Sequence, residues 1–117
     1  MAVTLIGSDE RVVELALDGR LDTAGVDQVE TRLYALLPQA GQDVIVHLAQ
    51  VDFLTSMGIR MLVTAAKAAA RRKNRLVLVG SAGAVAEALE SAAIDQIIPI
   101  RASRQEALDW FEQNPRA

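Results

Sequence analysis

The stretch that decides the fold reads VIVHLAQVDFLTSMGIRMLVTAAKAAARRKNRLVLVG and occupies residues 44–80. Residues 44–48 are a short apolar run with many β-branched side chains, which favours a central buried strand. The alanine-rich segment 57–72 repeats apolar residues at helical spacing, and residues 76–80 predict the next strand. A strand, a helix and a strand of these lengths favour a right-handed crossover between strands of a parallel or mixed sheet.

The residues before this unit predict a hairpin and a helix. Residues 3–6 and 12–17 are β-rich runs, and the polar residues 7–10 form a turn between them. The helix that follows ends at Pro38 and Gly41. Its apolar face is marked by Val26, Val29, Leu33 and Leu36.

The residues after this unit predict two more helices and a short strand. Ser81 is placed to cap the third helix. Residues 97–100 predict a last strand, where Pro99 argues for a sheet edge or a strand end. Ser103 and Glu106 match a capping box that opens the final helix. The sequence therefore predicts an α/β fold with a mixed, mostly parallel sheet, an initial β-hairpin and about four helices.

The composition limits the class of protein. With 117 residues, about half of them apolar, we expect a single domain over residues 1–117, with a frayed tail at about 114–117. The sequence has no cysteine, which excludes disulfides and thiolate metal sites. The N-terminal residues lack the pattern of a signal peptide or a membrane span, so we expect a cytoplasmic protein without direct membrane insertion. The net charge of −3 and the lack of an extended basic run argue against a nucleic-acid partner.

Few side chains are suited to catalysis. His47 is the only histidine and lies in a predicted central strand, where we expect a hydrogen-bonded sheet residue rather than a base or a metal ligand. Ser56 lacks the glycine two places before it that a hydrolase elbow requires. Residues 80–83 lack the rest of a nucleotide-binding motif. We therefore expect no catalytic residue, no metal and no cofactor.

The loop before the alanine-rich helix carries two hydroxyl groups at the helix start. Thr55 and Ser56 occupy this position, and Gly58 leaves the first turn without a side chain there. From the residues alone, the favoured interpretation is structural, with Ser56 or Thr55 capping the helix.

Helical geometry predicts which face of the alanine-rich helix is exposed. The side chains expected to point to the core are Ile59, Leu62, Val63, Ala66 and Ala69. Those expected on the opposite side are Met57, Met61, Thr64 and Ala68. Two exposed methionines next to Ser56, flanked by Arg60, predict an adaptable contact surface. The alternative is that a methionine lies under a neighbouring loop, or that the helix is rotated by one residue.

Residues 51–59, VDFLTSMGI, resemble the signature of the STAS family, named for sulfate transporters and anti-sigma factor antagonists. In that signature an apolar strand end and an acidic residue precede the phosphorylated serine, and a small residue, a glycine and an aliphatic residue follow it. Residues 19–22 are similar to the first conserved loop of the family, and residues 44–48 to its central strand. Residues 93–98 are similar to its approach to the last strand. The resemblance covers nearly the whole chain and implies a STAS-like fold.

The resemblance also implies a function as an anti-sigma factor antagonist, with Ser56 as the phosphoacceptor. In that family an unphosphorylated antagonist binds an anti-sigma factor that is also its serine kinase, the sigma factor is released, and a phosphatase resets the cycle. Thr55 stands where aspartate is frequent, so Thr55 stays an alternative acceptor. Met57 stands where serine or threonine is frequent, which changes the partner surface. The residues expected to contact the partner are Arg20, Asp22, Thr55, Ser56, Met57, Gly58, Arg60, Met61 and Thr64.

Two other functions compete with this one. A STAS-like subunit of a transport complex, such as a lipid-exporting ABC system, would use the same loop to bind its partner without phosphorylation. A small enzyme or nucleotide-binding protein would need a constellation of residues that the sequence does not contain. The oligomeric state does not follow from the sequence.

Overall fold

The computed structural model describes residues 2–115, and its framework is a five-stranded mixed sheet. In chain order the elements are β1 (Ala2–Ser8), β2 (Val12–Leu21), α1 (Thr23–Leu36), β3 (Asp43–Leu54), α2 (Ser56–Arg71), β4 (Leu76–Val79), α3 (Gly83–Ser91), a 3-10 turn (Ile94–Gln96), β5 (Ile100–Arg101) and α4 (Arg104–Gln113). The strands lie side by side in the order of the sequence. The first two are antiparallel and the other neighbours are parallel. The predicted α/β fold, with its hairpin and its four helices, is confirmed.

The buried side chains form two clusters, one on each face of the sheet. Val44 and Val46 of β3 belong to the larger cluster, together with the apolar faces of α1, α2 and α3. Ile45 belongs to the smaller cluster, which Ala107 and Phe111 of α4 close. Because successive residues of a strand point to opposite faces, α4 covers the face of the sheet opposite to the other helices.

Glu14 links three elements on the α4 face. Its carboxylate accepts hydrogen bonds from Nε of Arg104 in α4 at 2.8 and 2.9 Å, and it lies 3.0 Å from Nε2 of His47 in β3. Burial raises the pKa of the Glu14 carboxyl, but the hydrogen bonds with His47 and Arg104 and their charges together bring this pKa below its ordinary value. His47 is therefore a hydrogen-bonded sheet residue, as predicted.

Replacing Glu14 with glutamine is expected to remove part of the acid sensitivity of the fold. Because the pKa of Glu14 in the folded protein lies below the ordinary 4.5, its charge stabilises the fold above that pH. This contribution is lost as the pH falls through the lowered pKa. We expect Glu14→Gln to lower the free energy of unfolding by about 1 kcal/mol at neutral pH, and by less at about pH 3.

Urea denaturation at the two pH values measures this difference. Glu87→Gln is the matched control, because Glu87 is exposed and has no ion pair within residues 2–115. An equal loss of stability at both pH values would show that the charge of Glu14 does not stabilise the fold.

Helix α2 is rotated relative to the predicted orientation. Met61, predicted to point outward, is fully buried at 0 % exposure, whereas Met57 is 39 % exposed, as predicted. Ile59 and Val63, predicted to point inward, are only partly buried. The predicted exposure of Met61 is therefore wrong. The physical reason is that the charged residues Arg60, Lys67 and Arg71 lie on one side of α2, and the buried side is the one opposite to them.

Two predictions near the C-terminal half also need correction. Ser81 does not cap α3, because the helix begins after Ala82 and has no side-chain cap. The last strand comprises Ile100–Arg101 rather than residues 97–100. The N–H groups of residues 97 and 98 donate to the carbonyl of Ile94 in the preceding 3-10 turn, so they do not pair with a neighbouring strand.

The capping box of α4 is confirmed with one change. Ser103 Oγ accepts from the N–H of Glu106 at 3.2 Å, and the Glu106 carboxylate accepts from the N–H of Ala102 rather than of Ser103. At the other end of α4, Asn114 donates two hydrogen bonds to the carbonyl of Trp110. Residues 116 and 117 of the expected frayed tail lie outside the described residues.

Candidate functional site

The ends of β2 and β3 lie together at one edge of the sheet. In the register of these parallel strands, Leu21 lies opposite Leu54, so the loops that follow the two strands are neighbours. Asp22 then precedes α1, and Thr55 precedes α2. The residues that the sequence singled out in two separate segments therefore meet at one junction, which we call the β2/β3 junction.

Thr55 joins the two halves of the β2/β3 junction. Its N–H and its Oγ1 both donate to the carbonyl of Leu21, at 3.1 and 2.7 Å. The hydroxyl of Thr55 makes no capping hydrogen bond to α2. Thr55 is therefore a structural residue, but it fastens two loops together instead of capping the helix.

Ser56 is the first residue of α2 and is exposed to solvent. Within residues 2–115 its hydroxyl has no hydrogen-bond partner. The start of α2 has no side-chain cap, in contrast to the starts of α1 and α4, which Asp22 and Ser103 cap. The interpretation that the side chain of Ser56 or Thr55 caps the helix is therefore wrong, and no side chain satisfies the first-turn amides of α2.

Asp22 is held as an anion at the start of α1. Its Oδ1 accepts from the N–H of Gly25 at 2.8 Å, and its Oδ2 lies 3.5 Å from Nε of Arg20. The hydrogen bond from Gly25 holds the pKa of the Asp22 carboxyl below its ordinary value, and the side chain of Arg20 adds to this effect. Asp22 is therefore ionised at neutral pH.

Phe53 adds an aromatic side chain that the sequence did not single out. The guanidinium of Arg20 lies over its ring, with Cζ 4.2 Å from the ring centroid. Phe53 is 38 % exposed, although it lies at the end of a central strand. The two residues are partners in the β2–β3 register, so only the pairing of these strands could have predicted the contact.

Two glycines let both helices start close to the strands. A Cβ on Gly58 would lie 2.7 Å from Cδ1 of Leu54 and 2.8 Å from Cβ of Leu21. A Cβ on Gly25 would lie only 1.9 Å from the carbonyl oxygen of Arg20. Gly58 is buried, and its lack of a side chain allows this close approach. Its contact with a partner stays a prediction. The role of Gly25 in the close approach was missed.

The structure thus divides the predicted contact residues into three groups. Arg20, Asp22, Thr55, Ser56 and Met57 lie at the β2/β3 junction. Arg60 is exposed on the next turn of α2, and Thr64 is half-buried one turn further. Gly58 and Met61 lie in the interior.

The described part of the chain offers few other kinds of site. Over residues 2–115 no group of three or more acidic or histidine side chains is arranged to hold a metal ion. None of the helices in this range is both long and apolar enough to cross a membrane.

Known proteins with similar sequences point to one family. The family model of the STAS domain matches residues 6–107. A Bordetella bronchiseptica protein named "Putative anti-sigma factor antagonist BtrV" is 28% identical over 96 residues, which cover 82% of this chain and 83% of that protein.

Solved structures share the fold. An anti-sigma-factor antagonist (STAS) domain protein from Planctomyces limnophilus superposes with a TM-score of 0.81 at 21% identity, over 94% of this chain and 97% of that chain. The phosphorylated form of the Bacillus cell fate determinant SpoIIAA has a TM-score of 0.66 at 18% identity, over 92% of this chain and 97% of that chain. Because the family model spans most of the sequence and the fold agrees, this chain belongs to the STAS domain family.

Proposed function

We propose that this chain is an anti-sigma factor antagonist whose binding is switched by phosphorylation of Ser56. Without phosphate it binds an anti-sigma factor that is also a serine kinase, so that the sigma factor is released, and a phosphatase reverses the modification. As a cytoplasmic, single-domain binding module it needs no catalytic residue, metal or cofactor of its own. The observation that carries the proposal is the exposed, unbonded hydroxyl of Ser56 at the start of an uncapped helix. The family and the names of similar proteins support the class of partner.

The geometry favours Ser56 over Thr55 as the acceptor. Thr55 Oγ1 is half-buried and donates to the carbonyl of Leu21 at 2.7 Å, so its modification would break the link between the two loops. Modification of the Ser56 hydroxyl breaks no such contact. A kinase can therefore transfer the γ-phosphoryl group of ATP to Ser56 Oγ while the hydroxyl proton leaves and ADP is released.

The phosphate is expected to change the surface and leave the fold intact. It adds roughly −1.5 to −2 charges at the start of α2. The free amides and the dipole of the helix stabilise an anion there. Met57, the residue after Ser56, has an exposed side chain, and so does Phe53, three residues before Ser56. Within an apolar contact the phosphate must lose its water, and roughly 1.4 kcal/mol of lost binding energy is a tenfold loss of affinity.

The proposed contact surface comprises the exposed members of the β2/β3 junction. Arg20, Asp22, Ser56 and Met57 lie there, and Arg60 extends the surface along α2. Methionine and arginine suit such a surface, because the first adapts its shape and the second forms several hydrogen bonds. Phe53 belongs to the same surface by its exposure.

Ser56→Ala is expected to abolish phosphorylation by the cognate kinase. The test incubates the purified protein with radiolabelled ATP and the serine kinase recovered from the native host by its binding to this chain. Ser91→Ala is the matched control, because Ser91 is also an exposed serine, at the end of α3. Labelling of Ser56→Ala at the wild-type rate would show that another hydroxyl is the acceptor.

A binding measurement separates the switch from a role in a transport complex. Under the proposed function, Ser56→Asp weakens binding to the recovered partner by about tenfold, while its circular dichroism spectrum stays native. A partner that binds wild-type protein and Ser56→Asp equally tightly, and does not label either, would contradict the switch and favour the transport-complex role.

A further inference from the structure

Arg20, the penultimate residue of β2, has unused hydrogen-bonding capacity. Only its Nε meets an acceptor, Oδ2 of Asp22, and the distance of 3.5 Å is at the limit of a hydrogen bond. The Arg20 side chain is 59% exposed, so solvent weakens this ion pair. Within residues 2–115 the two terminal nitrogens of Arg20 donate to no acceptor.

Phe53 lies under the guanidinium of Arg20. Its ring centroid is 4.2 Å from Cζ, which is a cation–π contact. This contact pairs no N–H donor with an acceptor atom, so the terminal nitrogens can still bind other groups. A planar set of donors of this kind matches the oxygens of a phosphate.

The same corner of the molecule carries Ser56. Leu21 follows Arg20, and its carbonyl accepts both hydrogen bonds from Thr55, the residue before Ser56. On the other strand, Phe53 lies opposite Arg20 and near the start of α2. Arg20 and Ser56 therefore flank one pair of hydrogen bonds, although they belong to different elements.

We propose that Arg20 binds the phosphate of phosphorylated Ser56 within the same chain and so ties the start of α2 to the end of β2. The inference rests on the proposed modification of Ser56, but it does not depend on which kinase performs it. An Arg20 side chain paired with the phosphate is no longer available to a partner. One modification therefore changes two residues of the contact surface.

A titration of the phosphate tests this pairing in the isolated protein. Phosphoserine incorporated at position 56 during translation supplies the phosphate without a kinase. Its second proton dissociates near pH 6, and a guanidinium partner favours the dianion and lowers that pKa. By phosphorus NMR we expect a pKa lower by about 0.5 pH unit or more with Arg20 than with Arg20→Gln.

Arg60 is the other arginine that could bind the phosphate, so Arg60→Gln is the matched control. It lies four residues after Ser56 on α2, where helical neighbours meet. We expect Arg60→Gln to raise the phosphate pKa by less than Arg20→Gln does. An unchanged pKa in Arg20→Gln, or a rise in Arg60→Gln alone, would overturn the proposal. Because no kinase is used, failure here leaves the labelling experiment unaffected, and failed labelling leaves this pairing unaffected.

Discussion

Replacing Met61 with alanine is expected to lower the free energy of unfolding by about 3 kcal/mol, the usual scale for truncating a buried methionine. Met61 is fully buried in the larger cluster, between α2 and the sheet. Shortening it leaves a cavity that close-packed neighbours fill only in part. Alanine favours the helix slightly more than methionine does, by a few tenths of a kcal/mol, which is too little to offset the cavity. Guanidinium denaturation measures the change.

Met57→Ala is the control for this substitution, on the same helix. Met57 is partly exposed, so its truncation should change stability by no more than about 0.5 kcal/mol. Its expected effect is on partner affinity instead. Equal stabilities of the two variants would show that Met61 does not pack into the core.

Replacing Gly25 with alanine is expected to cost about 2 kcal/mol of net stability. The new Cβ would lie 1.9 Å from the carbonyl oxygen of Arg20, a contact that only a backbone shift can relieve. Overpacking of this kind costs about 3 kcal/mol. The gain in helix propensity from glycine to alanine is about 1 kcal/mol, so the clash determines the sign. The shift also moves the N–H of Gly25, from which Oδ1 of Asp22 accepts a hydrogen bond.

Gly7→Ala tests whether the effect depends on the clash. A Cβ on Gly7 would meet its nearest neighbour, Oε2 of Glu14, at an ordinary 3.5 Å. Its stability should therefore stay within about 0.5 kcal/mol of the wild-type value. A thermal or urea melt of both variants gives the comparison, and a Gly25→Ala protein as stable as wild type would refute the close approach of α1 to β2.

The order of the elements could be predicted because the period of the apolar residues changes at each boundary. The strand at 44–48 and the capping box at Ser103 are strong local signals, and both are confirmed. The orientation of α2 was predicted wrongly from its apolar residues alone. The charged side chains of Arg60, Lys67 and Arg71 mark its exposed side, and the contacts of Gly58 with Leu21 and Leu54 are visible only in three dimensions.

The parts of the site that could be predicted are those that a single segment encodes. Ser56 was singled out by its own neighbours in the sequence, and Asp22 by the resemblance of its loop. Phe53 and Gly25 were missed because their roles depend on the pairing of β2 with β3 and on the entry of α1. Sequence periodicity does not report such distances between segments.

The pair of hydrogen bonds from Thr55 to Leu21 has a consequence for the order of events in the cell. The two residues are 34 positions apart, so the contact forms only after the chain has closed the whole crossover through α1. Contacts between such distant residues form late, because the entropy of closing the loop is lost first. Under the proposed function, a kinase that recognises the joined ends of β2 and β3 is expected to act on folded molecules and not on nascent chains. The amount of phosphate on Ser56 would then report the number of folded molecules rather than the amount of polypeptide.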